Sequence, residues 1–450
     1  MLTEVINQYK TSSFIEHKSN ETDVVLSHHS ELKEINDVPC FFWGKIMQPF
    51  LVSKCLLTIA RTVRSRFTLT MRELEAMRDP IITAGNEQIR FEGFSSCNGV
   101  YARLDLMPEH IDGEFLSAGT TNVDFNEPMI NALNLVKKEE NLLLSVGKKE
   151  ISITTDKEKI VEKKVQLPVR WIKGLTSVQF YLSEMLPIFT LNKIKAIQLF
   201  QSIPKSYTKS DSYIIQRAQK FSISPIASKP AVKVGGIHRL RLLEGLLPIM
   251  DRMEILQSED EQACAFVIYL SNLRLTMTFS ADTYRGFSGE GKALELLSEE
   301  IPTHWIYAVN ELLSPNELFQ PNLFALENDI SFQTNDAIIA NLSAIGLLGY
   351  DVSAGQHFYR RLPFKMERML GLNPRLKNAK QLIHNDQVNI LLQKENYVEA
   401  NVMGSDGLQH KVLIENNMAK CTCAWFSNHQ GKRGLCKHIL AVKMSLSNEE

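Results

Sequence analysis

Three of the seven cysteines lie within sixteen residues near the end of the chain, and this cluster constrains the local fold more than any other feature. The segment Lys420–Leu440 reads KCTCAWFSNHQGKRGLCKHIL, in which twelve residues separate a Cys-x-Cys pair from a Cys-x-His pair. Three thiolates and one imidazole complete the tetrahedral shell that zinc prefers. Such clustering is typical of a metal site and not of a secreted disulfide scaffold. The sequence therefore predicts one structural Zn²⁺ per chain, held by Cys421, Cys423, Cys436 and His438.

The residue types in this cluster exclude other common metal centres. Soft thiolates argue against magnesium and calcium, and an iron–sulfur cluster normally takes four cysteines. Four protein ligands leave no open position for water, which favours a structural role over a catalytic one. His429 lies inside the spacer and could replace His438, but its place beside Gln430-Gly431 favours a surface residue.

This segment resembles the SWIM zinc finger, whose pattern is Cys-x-Cys, a variable spacer and Cys-x-His. Trp425 and Phe426 after the first pair, Gly434 before the second and Ile439-Leu440-Ala441 after His438 also fit the pattern. The likeness covers roughly residues 395–445. It implies a structural zinc and a role in binding DNA or protein partners. Two further segments look like longer bacterial proteins that carry this finger: Arg170-Trp171-Ile172-Lys173-Gly174 and Tyr284-Arg285-Gly286-Phe287.

Size and composition are those of an ordinary globular protein. The chain has 450 residues and 51.2 kDa, enough for two to four domains. Its 44% hydrophobic and 22% charged content is unremarkable for this class. Since 50 Lys and Arg face 51 Asp and Glu, any nucleic-acid binding must come from a local basic patch.

The sequence offers no signal for a membrane or for secretion. The richest apolar stretch, Ala337–Tyr350, is interrupted by Asn341 and Ser343 and is shorter than the ~18 residues that a membrane span needs. Met1–Lys18 lacks the apolar core of a signal peptide. We therefore expect a cytoplasmic protein without a membrane partner.

Hydrophobic periodicity in the body predicts both helices and antiparallel strands. A helix follows Pro49, and the Asn98-Gly99 turn within Phe91–Leu106 indicates a hairpin. Ile237–Ile255 has helical spacing with Pro248 as a kink, and Phe266–Phe279 alternates as a half-buried strand.

The predicted fold class is α+β: a multi-domain, mixed helical and antiparallel β body with a small C-terminal zinc finger. The expected parts are a polar N-terminal extension (1–35), an α+β domain (36–170), a helical and β region (171–302), a winged-helix-like segment (303–370) and a SWIM-type finger region (371–450).

The winged-helix interpretation rests on element order. Thr303–Leu313 and Asp336–Ile345 have helical spacing, and a capping box at Ser314–Glu317 predicts a helix between them. Tyr350–Val352 and Phe358–Phe364 then flank a short turn as a hairpin. Three helices and a hairpin are the elements of a winged helix, which would place Arg360 and Arg361 on the wing, although many α+β domains share this order.

No motif predicts an enzyme. Gly286–Lys292 fits the first seven positions of a phosphate-binding loop, but Ala293 replaces the required Ser or Thr, which favours a glycine-rich turn. The chain has no His-Glu-x-x-His and no Gly-x-Ser-x-Gly motif. We expect a non-enzymatic protein without a small-molecule substrate.

The finger itself carries the positive charge that the whole chain lacks. Asn416–Lys443 contains five Lys and Arg and no acid, so about +4 remains when zinc and three thiolates are counted. This favours DNA as the partner, with Lys420, Lys432, Arg433 and Lys437 as phosphate contacts. Trp425 would stack on a base if exposed, or pack in the finger core. The alternatives are a protein–protein adaptor that binds no nucleic acid and, more weakly, a hydrolase or nuclease in the body.

Overall fold

The structure is a computed structural model of the chain. It describes residues 14–18, 21–25, 40–65, 80–164, 169–205, 211–281, 283, 286–287, 305, 308–309, 312–313, 315–344, 346–360, 374–405, 407–416, 418–431 and 434–447. Contacts divide the chain into two compact units, 1–39 and 40–450. In the first unit, β1 (Phe14–Lys18) and β2 (Glu21–Val25) form an antiparallel hairpin.

The second unit contains runs of consecutive strands separated by single helices or pairs of helices. Its strands are β3 (Cys40–Ile46), β4 (Ile81–Gly85), β5 (Gln88–Phe94), β6 (Val100–Leu106), β7 (Ile111–Phe115), β8 (Gly119–Asn122), β9 (Leu142–Gly147), β10 (Glu150–Thr155), β11 (Lys159–Lys163), β12 (Met185–Asn192), β13 (Ser212–Arg217), β14 (Lys220–Ser224), β15 (Ala231–Val234), β16 (Arg252–Ser258), β17 (Ala263–Leu270), β18 (Leu273–Ser280), β19 (Leu318–Phe319), β20 (Leu348–Asp351), β21 (Gln356–Tyr359), β22 (Val388–Lys394), β23 (Tyr397–Met403), β24 (Gln409–Glu415) and β25 (Met418–Cys421). Its α-helices are α1 (Pro49–Arg64), α2 (Glu127–Leu135), α3 (Val169–Ser183), α4 (Lys193–Gln201), α5 (Pro321–Glu327), α6 (Phe332–Ala344), α7 (Pro374–His384), α8 (Ala424–His429) and α9 (Lys437–Ser447).

The strands form several antiparallel sheets. The largest has the order β12-β16-β17-β18-β6-β5-β4-β8, and a second has the order β11-β10-β9-β3-β7. Smaller sheets have the orders β14-β13-β15, β19-β21-β20 and β22-β23-β24-β25. The predicted α+β class, with mixed helices and antiparallel strands, is confirmed. The structure does not test the predicted domain boundaries, which stay predictions.

Helix α1 begins at Pro49, as the sequence predicts. Its apolar stripe, which includes Val52, Leu56 and Ile59, is buried against β5 and β6. Proline is favoured at the first helical position because its missing N–H would have no partner there. None of the described helices combines the length and apolar character that crossing a bilayer requires.

The helix predicted over Ile237–Ile255 is wrong. Residues Ile237–Leu246 form a 3₁₀-helix, and β16 begins soon afterwards at Arg252. The buried side chains of Ile237, Leu240, Leu243 and Leu246 recur at every third residue. That interval matches the three residues per turn of a 3₁₀-helix better than the 3.6 of an α-helix. Pro248 lies after the helical end, so it kinks no helix.

In the segment predicted as winged-helix-like, the structure contains the predicted hairpin but not the helix that was predicted to begin at the capping box. Strands β20 and β21 form the hairpin, and α6 matches the third predicted helix. The first predicted helix lies largely outside the described residues. Asn316 has a left-handed φ of 69°, and its side-chain amide donates to three backbone carbonyls of the large sheet. These hydrogen bonds hold the Asn316 turn against the large sheet. Strand β19 follows the turn, and α5 begins only at Pro321.

The hairpin packs on the large sheet through a buried ionic network. Asp351 at the end of β20 contacts three guanidinium groups, at 3.5, 3.2 and 3.0 Å, from Arg90, Arg103 and Arg274. Burial opposes ionisation, but these ion pairs lower the pKa of Asp351 well below its ordinary value. Arg360 is fully buried and pairs with Glu92 at 3.0 Å. The expected exposed position of Arg360 on a wing is therefore wrong, and Arg361 lies outside the described residues.

Residues 374–447, here called the C-terminal module, have their own hydrophobic core. Helix α9 covers one face of the sheet β22-β23-β24-β25, and α7 packs on α9. The core contains Leu376, Ala400, Val412 and Leu440 and is distinct from the cores of the large sheet and of the α5–α6 region. Strands β23 and β24 form an antiparallel hairpin that precedes the first cysteine pair.

Candidate metal centre

Four side chains from three neighbouring elements meet at one end of the module. Cys421 ends β25, where it pairs with Val412 of β24 and shares its buried face. Cys423 caps the N-terminus of α8. Cys436 immediately precedes α9, and His438 lies in the first turn of that helix. The chain returns between the two pairs through the left-handed residues Gln430 (φ 45°) and Gly431 (φ 76°).

The arrangement fits a tetrahedral zinc site. The ligand atoms of the four side chains all lie within 4.8 Å of one another, and the four residues are buried. Sγ of Cys421 is 3.7 Å from Nδ1 of His438. Tetrahedral zinc with a bond of ~2.3 Å to sulfur and ~2.0 Å to nitrogen separates these atoms by about 3.5 Å. Nδ1 is therefore the imidazole atom that would hold the metal.

The hydrogen bonds and the pKa shifts of the cysteine ligands also suit a bound cation. The backbone N–H groups of Cys423 and Phe426 donate to the sulfurs of Cys421 and Cys423, at 3.5 and 3.4 Å. Hydrogen bonds to the neighbouring cysteine sulfurs raise the pKa of Cys421 and lower the pKa of Cys423. A bound Zn²⁺ supplies the charge that keeps all three thiolates deprotonated.

A family comparison agrees with this geometry. Residues 410–447 match the SWIM zinc finger family. The segment is a SWIM zinc finger whose Cys421, Cys423, Cys436 and His438 form the ligand set for one structural zinc. The predicted wider likeness to longer bacterial proteins gains no support from the comparisons. No curated protein matches this chain at a significant level.

Two solved structures show weak similarity to this chain. One is the Proliferating Cellular Nuclear Antigen from Entamoeba histolytica, with 11% identity, a TM-score of 0.35 and coverage of 54% of this chain and 98% of that one. The other is a PCNA2–PCNA3 complex from Sulfolobus tokodaii, with 9% identity, a TM-score of 0.37 and coverage of 54% and 99%.

Ring contacts decide two questions about the finger: whether His429 is a metal ligand, and whether Trp425 packs in the finger core. His429 is not part of the ligand cluster, because its ring packs against Trp425 with a centroid distance of 4.8 Å. The Arg375 guanidinium lies 4.5 Å from the centre of the same indole ring. Trp425 is half-buried and packs against the module core, so the core-packing interpretation is the better one.

The predicted phosphate contacts do not form one described patch. Lys420 is exposed on β25 and alternates with buried Cys421, so it lies on the sheet face opposite the metal centre. Lys437 is half-buried beside the metal ligands, and its Nζ donates to Oγ of Ser405 at 3.0 Å. Lys432 and Arg433 lie outside the described residues.

The structure adds residues that the sequence motif did not reveal. Arg375 of α7 donates from Nη1 to the carbonyl oxygen of Leu435 at 2.9 Å, just before the second ligand pair. The ring of His410 on β24 lies 4.6 Å from that of His438. Neither residue belongs to a spaced motif, and Arg375 precedes the first residue of the matched finger by 35 positions in sequence. Only the packing of α7 and β24 brings them to the metal centre.

The glycine-rich segment at Gly286 is described only in its first two residues. Gly286 has a φ of 58° and closely approaches the backbone of Asn98. Phe287 is buried, and its N–H donates to the carbonyl oxygen of Asn98 at 2.7 Å. These contacts favour the predicted turn, and residues 288–293 lie outside the described part of the chain.

Proposed function

We propose that the C-terminal module binds DNA through the phosphate backbone and that the protein acts by binding, not by catalysis. The supporting observation is charge separation along the chain. Residues 374–447 contain ten of the 50 Lys and Arg but only five of the 51 Asp and Glu, leaving 40 basic and 46 acidic residues elsewhere. Because the module is basic and the rest of the chain is acidic, the affinity for phosphate should lie in the module.

The exposed cations of the module support backbone neutralisation as its mechanism. Lys377 and Lys380 are both exposed on α7, three residues apart and therefore on one side of the helix. Lys420 is exposed on the sheet. We include Lys432, Arg433 and Lys437 among the phosphate contacts. Contacts of this kind position a protein on DNA and carry little sequence information.

The test is DNA binding by the full chain over a range of salt concentrations. Lys432→Ala/Arg433→Ala should weaken binding to all duplex sequences and reduce the salt slope by roughly two, because two phosphate contacts are lost. Zinc content should not change, since neither residue is a ligand. Fluorescence anisotropy with two unrelated duplexes measures the slope.

Lys137→Ala/Lys138→Ala is the matched control, because it removes two adjacent, exposed lysines outside the module. It should leave the slope near that of the unmodified protein. No DNA binding at low salt, or equal slopes for the two double variants, would refute the proposal.

A protein–protein adaptor is the second candidate, and one surface favours it. The face of the sheet β22–β25 away from α9 exposes the apolar side chains of Leu392 (42% exposed) and Met418 (67% exposed). Half-buried Leu413 lies on the same face. An exposed apolar patch is a common feature of protein interfaces. An apolar interface of this kind would keep its affinity as salt rises, whereas phosphate binding would weaken steeply.

We also propose a cytoplasmic location. All seven cysteines are free thiols, and three of them belong to the metal centre. Free thiols and thiolate–zinc sites are typical of reducing compartments.

A further inference from the structure

A cavity of about 250 Å³ lies directly beside the metal ligands. Its walls include Arg375 from α7, Ser405 from the loop between β23 and β24, and Lys437 and His438 from α9. No Asp or Glu is among the described residues that line it, and the metal ligands Cys423 and Cys436 are part of its wall as well. Two cationic side chains, a hydroxyl and the imidazoles of His410 and His438 therefore line one half-open cavity.

His438 has a buried hydrogen-bond donor that the described protein atoms leave unused. Its Nδ1 is directed towards Sγ of Cys421, so the opposite ring edge carries Nε2. When Nδ1 holds a metal, the proton of the neutral ring is on Nε2. The residue is 4% exposed, and Nε2 has no hydrogen-bond partner among the described residues.

That unused donor is unusual for a metal-bound imidazole. Such a histidine almost always donates its second ring N–H to a carboxylate, a carbonyl or water. His438 is also one of the residues that line the cavity, beside Lys437.

The charges around the cavity favour an anionic acceptor. Nζ of Lys437 is held at 3.0 Å from Oγ of Ser405, and both residues line the cavity. The Arg375 guanidinium is fixed by its bond to the Leu435 carbonyl and by its position over Trp425. Cationic side chains held in place before binding lose little conformational entropy when an anion arrives.

We propose that this cavity is a phosphate subsite of the C-terminal module. Donors that approach from α7, from the β23–β24 loop and from the start of α9 suit the tetrahedral oxygens of a phosphate better than a planar carboxylate. The source of the phosphate, a nucleic-acid strand, rests on the function proposed above. The subsite itself rests on the cavity and its donors alone.

The experiment is calorimetric titration of inorganic phosphate into the zinc-loaded full chain at low salt. Lys437→Gln should weaken phosphate binding about tenfold or more, because a hydrogen bond to a charged group is lost. Ser405→Ala, a smaller change in an exposed loop residue, should weaken it about two- to tenfold. Lys394→Gln removes an exposed lysine that does not line the cavity and should bind phosphate like the unmodified protein. Elemental analysis checks that each variant retains zinc.

The outcomes separate the subsite from the proposed function. No phosphate binding, or equal affinity in Lys437→Gln and Lys394→Gln, overturns the subsite even if DNA still binds. Tighter binding of acetate than of phosphate also overturns it and indicates a peptide carboxylate instead. Phosphate binding with the expected order of variants supports the subsite, and absence of DNA binding in the same samples then overturns only the nucleic-acid source.

Discussion

Removal of zinc should unfold the C-terminal module while the rest of the chain remains folded. Structural zinc contributes ~10–16 kcal/mol in small zinc-finger peptides. At ~0.05–0.15 kcal/mol per residue, a module of the length of 374–447 has a total stability of about 4–11 kcal/mol. The free energy lost with the metal therefore matches or exceeds what the module has. Its core, which contains Ala400 and Leu440, is separate from the core of the large sheet, so this loss should stay local.

Hydrogen exchange of the full chain with and without a zinc chelator measures this effect. Amides of β23, β24 and α9 should lose protection when zinc is removed, whereas those of β17 and β18 should keep it. Cys436→Ser without chelator should reproduce the pattern, and zinc added back to the unmodified protein should reverse it. Loss of protection in β17 and β18, or full protection of α9 without zinc, would show that the reasoning about separate cores is wrong.

Two further predictions concern the metal stoichiometry and the stability of the hairpin β20–β21. Purified protein should contain about one zinc per chain by elemental analysis, and Cys436→Ser should lower both occupancy and affinity; full occupancy in that variant would contradict the ligand set. Burial lowers the pKa of His357 from 6.5 to about 4, so below pH 6.5 the unfolded chain gains a proton that the folded chain resists. The free energy of unfolding should therefore fall by about 1.4 kcal/mol per pH unit as pH decreases from 6.5 towards 4. Urea titrations at pH 7 and pH 5 should show this loss, His357→Gln should reduce it, and an unchanged pH dependence in that variant would contradict the assignment.

The metal ligands could be predicted from sequence because they are local. Two pairs with one intervening residue, separated by a short spacer, specify the same four donors in any compact fold. The hairpin of β23 and β24 could also be predicted, since alternation and a glycine-containing turn are local signals. Arg375, Ser405 and His410 could not, because their positions beside the metal centre depend on how α7 and the β23–β24 hairpin pack on the finger.

In the body, the single strand predicted over Phe266–Phe279 is wrong, because a turn divides it into β17 and β18, and the pattern also did not show how much of each strand is buried. The alternation in β18 predicts one apolar and one polar face, and Leu275 and Met277 do lie in the core. The polar face is buried as well: Thr276 and Thr278 are fully covered, and Arg274 pairs with Asp351 of the distant hairpin. The opposite charges of Arg274 and Asp351 pair there, whereas the buried hydroxyls of Thr276 and Thr278 have no hydrogen-bond partner among the described residues.

The sequence by itself determined the α+β class, the zinc ligands and the C-terminal excess of positive charge, since each depends on residue type and short spacing. The tertiary structure alone decided that Arg360 is an internal ion-pair partner and not a surface contact. It also decided that His438 and Lys437 share a cavity with Arg375. The physical reason is the same in both cases: long-range packing sets the burial and the partners of a charged side chain, and neither can be read from neighbours in the chain.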